Sequence, residues 1–432
     1  MDKGTEIFLY LLILSIPFSK TAVEVSICFI IFFWTIRCVF NKNISLPDTQ
    51  ITLPWLVFLL VCALSLFNTN YFELSLKALF TKQLKYFFFF VAISEFLKKN
   101  PSLFKNISYV FLTALSAVII DAVLQYVTGT DIRGKRAHIV HIEPKDRFRI
   151  SASFSHPNDF GTYLTAMIPL LFLQMSSRGL KGRSPKARGV SIGDSSRYAT
   201  SGFAFGMTFF HAFSAILVFL GLIALYFTYS RGALLAFIAA ISTTLFLWKK
   251  KIALIVFTAL LLFVFLTPFP FMQSLRQSFN FNMNASGSIK DRLKLWKSTA
   301  NMIAERPVLG WGLNTYTKEI PKFVGDMDAW YPHNCYLQMA SEIGLVGLSA
   351  FLILLVALFL SFYRSFCTAS SPHEKLCAGA FIASFLAIAF HAFVDTTLFS
   401  LPMVALFWTI VSVGYAFKID SSPTGFEPVL PP

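Results

Sequence analysis

The residue best suited to proton transfer in this sequence is a histidine at a predicted helix start. His333 and Asn334 follow Pro332. Because proline suits the first helical position, both residues are expected in the first turn of a helix. The positive end of the helix dipole disfavours an imidazolium, so His333 is expected to be neutral and able to accept a proton as a general base. The alternative interpretation is a capping or interfacial histidine.

An arginine stands at a second predicted helix start, in "TYSRGALLAF". Ser230 is predicted to cap this helix, which places Arg231 at its first position. A cation there opposes the helix dipole. An anion held by the guanidinium and by backbone N–H groups together would compensate. Arg231 is therefore a candidate anion ligand, and the alternative is an arginine that sets the depth of its helix at the membrane interface.

The segment "SIKDRLKLWKSTANMIAERPVLGWG" predicts an amphipathic helix that lies flat on the outer membrane surface. Ser288 and Asp291 have the spacing of a capping box. The apolar positions recur every three or four residues: Ile289, Leu293, Trp296, Ala300 and Ile303. Arg292 borders this stripe and is expected to project into a cavity under the helix, whereas Arg306 is a weaker candidate. Contact with lipid headgroups is the alternative for both arginines.

A third candidate cation is Arg149, in "DRFRISASFSHPNDFGTYL". It is expected about one turn outside the membrane, beside the extended "HPN" that leads into a predicted span. His156 and Asn158 fit either this site or structural capping. The sequence therefore favours Arg149 as a site residue and leaves its two polar neighbours open.

The acidic residues near these positions have less certain roles. Glu342 follows His333 by nine residues and should face the opposite side of the helix, so we expect it to meet a polar partner inside the bundle. Asp326 and Asp328 resemble the acidic pair by which many glycosyltransferases hold a metal-bound nucleotide sugar. Nucleotide sugars are cytoplasmic, however, whereas this segment is predicted to lie outside. Asp395 shares a helix face with His391, and nothing in the sequence assigns it a role.

The composition of the chain restricts the fold classes in which these residues can lie. The chain has 432 residues, of which 56% are hydrophobic and 14% charged, against about 25% charged in soluble proteins. This predicts an all-α, polytopic integral membrane protein with about twelve transmembrane helices. The six cysteines lack metal or redox spacing. The predicted spans are 5–18, 21–38, 51–67, 83–97, 106–127, 157–176, 207–228, 232–248, 252–270, 334–363, 376–394 and 399–417.

The basic inner loops place both termini in the cytoplasm of a single membrane domain, 1–432. The basic segment 177–206 is then an inner loop, and 418–432 is a disordered tail. Two basic loops face outward: 128–156, and a long periplasmic loop at 271–333 that contains the amphipathic helix. Either long loops translocate regardless of their charge, or these loops form an outward basic cavity for an anion such as a phosphorylated substrate.

Several motifs in order make the chain similar to the O-antigen ligase and O-antigen polymerase superfamily of bacterial envelope enzymes. They are "SRGALLAF" at 230–237, "DRLKLWKSTANMIAERPVLGWGLNTY" at 291–316 and "PHNCYLQMASEIGLVGL" at 332–348. A weaker signature is "FSHPNDFGTYL" at 154–164. The resemblance covers roughly 200–420.

This resemblance implies a metal-independent, inverting glycosyltransferase of the inner membrane that needs no cofactor. Its donor would be a glycan on undecaprenyl pyrophosphate, and its acceptor the lipid A-core or a growing glycan. Membrane lipids are its other expected partners, with no nucleic acid. Arg231 and Arg292 would bind pyrophosphate and His333 would be the base, whereas Arg149 has no firm motif match. The motifs favour a ligase, with a polymerase as the alternative and a flippase or transporter of lipid-linked glycan as a further one.

Overall fold

The computed structural model describes residues 2–41, 46–140, 147–173, 212–266, 288–325 and 331–417. The predicted inner loop at 177–206 and the predicted tail at 418–432 lie outside the described residues. The pair Asp326 and Asp328 also lies outside them, as does the part of the predicted long loop at 271–287.

Helices make up most of the described chain, as its composition predicts. The first helices are α1 (Asp2–Ser15), α2 (Lys20–Asn41), α3 (Thr49–Leu64), α4 (Phe72–Ala78), α5 (Lys85–Lys99) and α6 (Leu103–Thr128). A short antiparallel hairpin of β1 (His138–Val140) and β2 (Arg147–Arg149) follows, and these are the only strands among the described residues. The chain continues with α7 (Pro157–Leu170), α8 (Ala212–Phe227), α9 (Arg231–Trp248) and α10 (Lys250–Leu266).

The last part of the chain contains the predicted amphipathic helix and three long apolar ones. Its helices are α11 (Ser288–Glu305), α12 (Tyr316–Glu319), α13 (Pro321–Val324), α14 (Cys335–Thr368), α15 (Pro372–His391) and α16 (Leu401–Ala416). Each predicted span coincides with a helix, which confirms the helical class. Six of the described helical segments are long and apolar enough to cross a membrane. The total of twelve spans stays a prediction.

Helix α15 lies at the centre of the bundle and packs against α7, α9, α14 and α16. Its side chains are buried along nearly the whole length, whereas α2 and α3 expose apolar side chains such as Phe32 and Leu60. In a bilayer, apolar residues facing outward meet lipid tails and not water. The packing of α15 against four helices holds its last turn and the segment before α16 in fixed positions.

A break in α14 anchors the segment that follows α11. Gly344 has a φ of 72°, so the helical hydrogen bonding is interrupted there. The loop at 307–314 satisfies the freed groups: the Leu345 N–H donates to the Pro307 carbonyl (2.7 Å), and the Gly312 N–H donates to the Glu342 carbonyl (2.8 Å). The connection between α11 and α14 is therefore bonded into the bundle.

Glu342 contributes its side chain to the same junction. Its Oε2 accepts from the Asn314 N–H (2.7 Å), and its Oε1 accepts from Gln338 Nε2 (3.0 Å). The carboxylate is 2% exposed and points toward the 307–314 loop. The geometry agrees with an architectural role for Glu342 and gives it partners other than His333.

We expect this junction to be intolerant of a methyl group at Gly310. This residue has a φ of 66°, and a Cβ there would lie 2.5 Å from the Glu342 carbonyl carbon. Gly310→Ala should lower stability by more than about 3 kcal/mol, because left-handed strain and the overlap combine. Thermal unfolding in detergent measures this effect.

Gly325→Ala is the matched control for that measurement. Gly325 has a φ of 61° but nothing within 4 Å of an added Cβ, so the substitution meets backbone strain of about 1–3 kcal/mol and no overlap. Equal losses of stability in the two variants would contradict the proposed junction.

Candidate functional site

The start of α9 lies where the Ser230 motif predicts it. The Ser230 hydroxyl oxygen accepts from the Ala233 N–H, and Arg231 is the first helical residue. The next residue, Gly232, permits a close approach to the segment after α15: a Cβ at Gly232 would lie 2.6 Å from Val394 Cγ2. The absence of a side chain at this position therefore brings the start of α9, with Arg231, against the segment that contains Val394.

The structure corrects the predicted position of His333. Helix α14 begins at Cys335, and Asn334 is its N-cap, with Oδ1 accepting from the N–H groups of Tyr336 and Leu337 at 3.0 Å each. The prediction that His333 and Asn334 lie in the first helical turn is therefore wrong. The amide of Asn334 ends the helix before it reaches His333, which adopts a left-handed φ of 48°.

His333 forms a hydrogen bond with Asp395, which precedes α16. The distance from His333 Nδ1 to Asp395 Oδ1 is 3.0 Å. A carboxylate accepts hydrogen bonds, so Nδ1 carries the proton and donates. In the neutral ring Nε2 is then the acceptor, and the His333 side chain is 43% exposed. The Asp395 carboxylate therefore sets the tautomer of the His333 ring and leaves Nε2 as the basic nitrogen.

The charge of Asp395 is well stabilised. Burial by itself would raise its pKa, but the hydrogen bond from His333 and the charges of His391 and His333 lower the pKa well below its usual range. The Thr396 N–H donates to Asp395 Oδ1 (2.8 Å), and Asn158 Nδ2 donates to Oδ2 (2.6 Å). Asp395 is therefore ionised at neutral pH and can stabilise an imidazolium on His333.

Arg149 extends this chain of hydrogen bonds. Its NH2 donates to Asn158 Oδ1 (3.0 Å) and its Nε donates to the Thr228 carbonyl (2.8 Å). Asn158 thus links Arg149 to Asp395, which favours the site interpretation of Asn158 over simple capping. Burial and the charges of Arg231 and Arg292 together lower the pKa of Arg149 to about 10, although the charge of Asp395 opposes them. The guanidinium stays charged at neutral pH.

Arg292 reaches the same place from α11. Its NH1 donates to the Val394 carbonyl (3.0 Å), next to Asp395. Electrostatic interaction between Arg292 and both Arg149 and Arg231 shows that three guanidinium groups share one region. Adjacent like charges are unfavourable, so an anion bound among them would be strongly favoured.

The buried face of α11 differs from the predicted apolar stripe. The stripe residue Leu293 is 50% exposed, whereas Leu295 (4%) and Met302 (0%) pack with residues such as Trp311 and Tyr316. The face of α11 that carries Leu295, Ser298 and Met302 is buried because the 307–324 segment folds back onto it. Leu293 and Ala300 of the predicted stripe stay exposed, whereas Trp296 is half-buried. Contact of the stripe with the membrane surface stays a prediction.

Arg306 has different surroundings from the other candidate arginines. Its guanidinium carbon lies 4.0 Å from the centre of the Trp311 ring, and its NH1 donates to the Asn68 carbonyl. Arg306 therefore supports the junction between α11 and α14 and is not brought to Asp395. Asn334, another candidate, is brought to the site only as the helix cap beside His333.

Sequence reasoning missed the pairing of Asp395 with His333. The signal that existed was the spacing of His391 and Asp395 near one end of a span. The His391 Nδ1 contacts the hydroxyls of Thr162 (2.9 Å) and Thr397 (2.7 Å), which holds α7, α15 and the segment before α16 together. A helix pattern cannot show which distant side chain will lie opposite Asp395.

These features define a class: a helical membrane protein with a carboxylate-oriented histidine beside a cluster of arginines. Residues 216–352 match the family model described as O-antigen ligase, which confirms the resemblance to the superfamily. No curated protein matches the chain. The matched segment contains Arg231, Arg292 and His333, whereas Arg149, Asn158 and Asp395 lie outside it.

The arginine cluster, formed by Arg149, Arg231 and Arg292, should bind inorganic pyrophosphate. We expect Arg292→Gln and Arg149→Gln each to weaken binding by about tenfold, because each removes a charge-assisted contact or its supporting charge. Isothermal titration calorimetry on the detergent-purified protein measures this.

Arg306→Gln is the control for this measurement. It removes a cation of the same type whose partners are Trp311 and Asn68, so pyrophosphate binding should be unchanged. Weaker binding in Arg306→Gln equal to that in Arg292→Gln would show that general charge, and not this cluster, holds the anion.

Proposed function

We propose that this protein is a ligase-type glycosyltransferase that moves a glycan from undecaprenyl pyrophosphate to a sugar hydroxyl of the lipid A-core. The transfer would take place on the periplasmic face of the inner membrane. The observation that carries the proposal is the juxtaposition of His333, oriented by Asp395 (3.0 Å), with the arginine cluster. The match of residues 216–352 to the O-antigen ligase family model supports the same chemistry.

His333 serves as the general base in this proposal. As the acceptor hydroxyl oxygen forms a bond to the anomeric carbon, its proton passes to His333 Nε2. The bond between the anomeric carbon and the pyrophosphate oxygen breaks, and the electron pair leaves with the pyrophosphate. Attack from the face opposite the leaving group inverts the anomeric configuration. Asp395 stabilises the imidazolium that results, because its carboxylate accepts the Nδ1–H bond.

The arginines stabilise the departing pyrophosphate. Arg231 presents its guanidinium together with the N-terminus of α9, and Arg292 adds a second fork of N–H donors. Charge that develops on a leaving phosphate is best stabilised by donors already in place. Arg149 contributes charge to the same region while its side chain is bonded to Asn158 and Thr228.

His333→Ala should reduce glycan transfer by about 10²–10⁴-fold, because the base that accepts the hydroxyl proton is lost. Transfer from a lipid-linked donor to purified acceptor in detergent measures this. His373→Ala is the matched control: His373 lies in the first turn of α15, at the opposite end of the helix from His391, and beside Cys377.

 Because His373 contacts Cys377, one turn further along the same helix, His373→Ala should leave transfer unchanged. Retained transfer in His333→Ala would remove the proposed mechanism.

The acceptor distinguishes a ligase from a polymerase. Deleting the gene in its host should leave polymer on the lipid carrier and bare lipid A-core at the cell surface if the protein is a ligase. Core that bears a single repeat would instead indicate a polymerase. Lipid-linked glycan retained on the cytoplasmic leaflet would indicate a flippase, and unchanged glycans would contradict all three. Mass spectrometry of lipid-linked and surface glycans, with accessibility labelling to assign the leaflet, separates these outcomes.

A further inference from the structure

Two side chains of α11 donate hydrogen bonds to the backbone carbonyls of the residues that precede His333 and Asp395. Trp296 Nε1 donates to the Pro332 carbonyl (2.7 Å), and Arg292 NH1 donates to the Val394 carbonyl (3.0 Å). Pro332 precedes His333, and Val394 precedes Asp395. Residues four apart lie on one face of a helix, so a single face of α11 spans the pair.

The conformation of His333 requires such support. Its φ of 48° is uncommon for a residue with a side chain. On its C-terminal side the chain is fixed, because Asn334 caps α14 and the Cys335 N–H donates to the Ala392 carbonyl (2.8 Å). On its N-terminal side, the bond from Trp296 to the Pro332 carbonyl restrains the peptide that leads into His333. The imidazole itself is 43% exposed, so packing alone does not orient it.

Arg292 connects this support to the donor site. A guanidinium has five N–H donors. Its bond to the Val394 carbonyl leaves other donors of Arg292 for a pyrophosphate oxygen. An anion that binds Arg292 therefore also restrains α11, and α11 carries Trp296 one turn further on.

We propose that Trp296 is a positioning residue that sets the orientation of His333 and links it to pyrophosphate bound at Arg292. This inference rests on the proposed function. Through its bond to the Pro332 carbonyl, Trp296 aligns His333 Nδ1 with Asp395 and directs Nε2 toward the acceptor hydroxyl. Trp296 does not contact the reacting atoms, so its effect on the reaction is indirect.

The test compares two tryptophans that form the same type of bond. Trp296→Phe keeps an aromatic ring and removes the indole N–H. Trp311→Phe removes the matching bond from Trp311 Nε1 to the Met302 carbonyl (2.8 Å), which lies in the same part of the chain but away from His333. Transfer kinetics with varied lipid-linked donor, and thermal unfolding in detergent, are measured for both. Trp296→Tyr is a second variant that also lacks the indole N–H.

We expect kcat to fall by about tenfold or more in Trp296→Phe while the KM for the donor changes by less than about twofold, because small misalignment of a base mainly affects the chemical step. Trp311→Phe should keep the kcat of the unaltered protein. An unchanged kcat in both Trp296 variants, or an equal fall in kcat in Trp311→Phe, would overturn the inference.

A double-mutant cycle with Asp395→Asn measures whether the effect of Trp296 on kcat depends on Asp395. If Trp296 acts through the His333–Asp395 pair, Trp296→Phe should reduce kcat by less than about twofold once Asp395→Asn is present. Fully additive losses would contradict the coupling. Failure of the inference and failure of the proposed function are distinguishable, since transfer retained by His333→Ala would reject the function itself.

Discussion

The hydrogen bond between His333 and Asp395 is the interaction around which this site is organised. It joins the residue that precedes the cap of α14 to the segment that follows α15, at 3.0 Å. A histidine in a left-handed conformation is held in place only when its surroundings restrain the backbone. The cap by Asn334 and the bond from Trp296 supply that restraint. The bond to Asp395 then determines which ring nitrogen can accept a proton.

The arginines raise an energetic difficulty that the surrounding hydrogen bonds partly resolve. Cations removed from water and placed near one another are unfavourable without partners. Asn158 and the Thr228 carbonyl accept from Arg149, and the Val394 carbonyl accepts from Arg292. Neutral acceptors orient these guanidinium groups without neutralising them. The region thus keeps its positive potential for an anionic ligand, and the ionised Asp395 offsets part of the repulsion.

The helices and the starts of two of them follow from local pattern. Ser230 caps α9 as its sequence predicts, since capping depends on a side chain and N–H groups within one turn. His333 lies two residues before Cys335, the first helical residue, because Asn334, and not a residue before Pro332, captures the free N–H groups. The buried face of α11 also departs from its pattern, because folding back of later residues covers Leu295 while Leu293 stays exposed.

The sequence by itself determined the helical membrane class, the capped start at Arg231 and the types of residue able to handle a proton and an anion. These depend on composition and on contacts within a few residues, which the linear order already contains. Only the tertiary structure decided that Asp395, 62 residues beyond His333, is its partner, and that Arg149 joins them through Asn158. Such pairings depend on how α7, α14 and α15 pack, and no local pattern encodes that geometry.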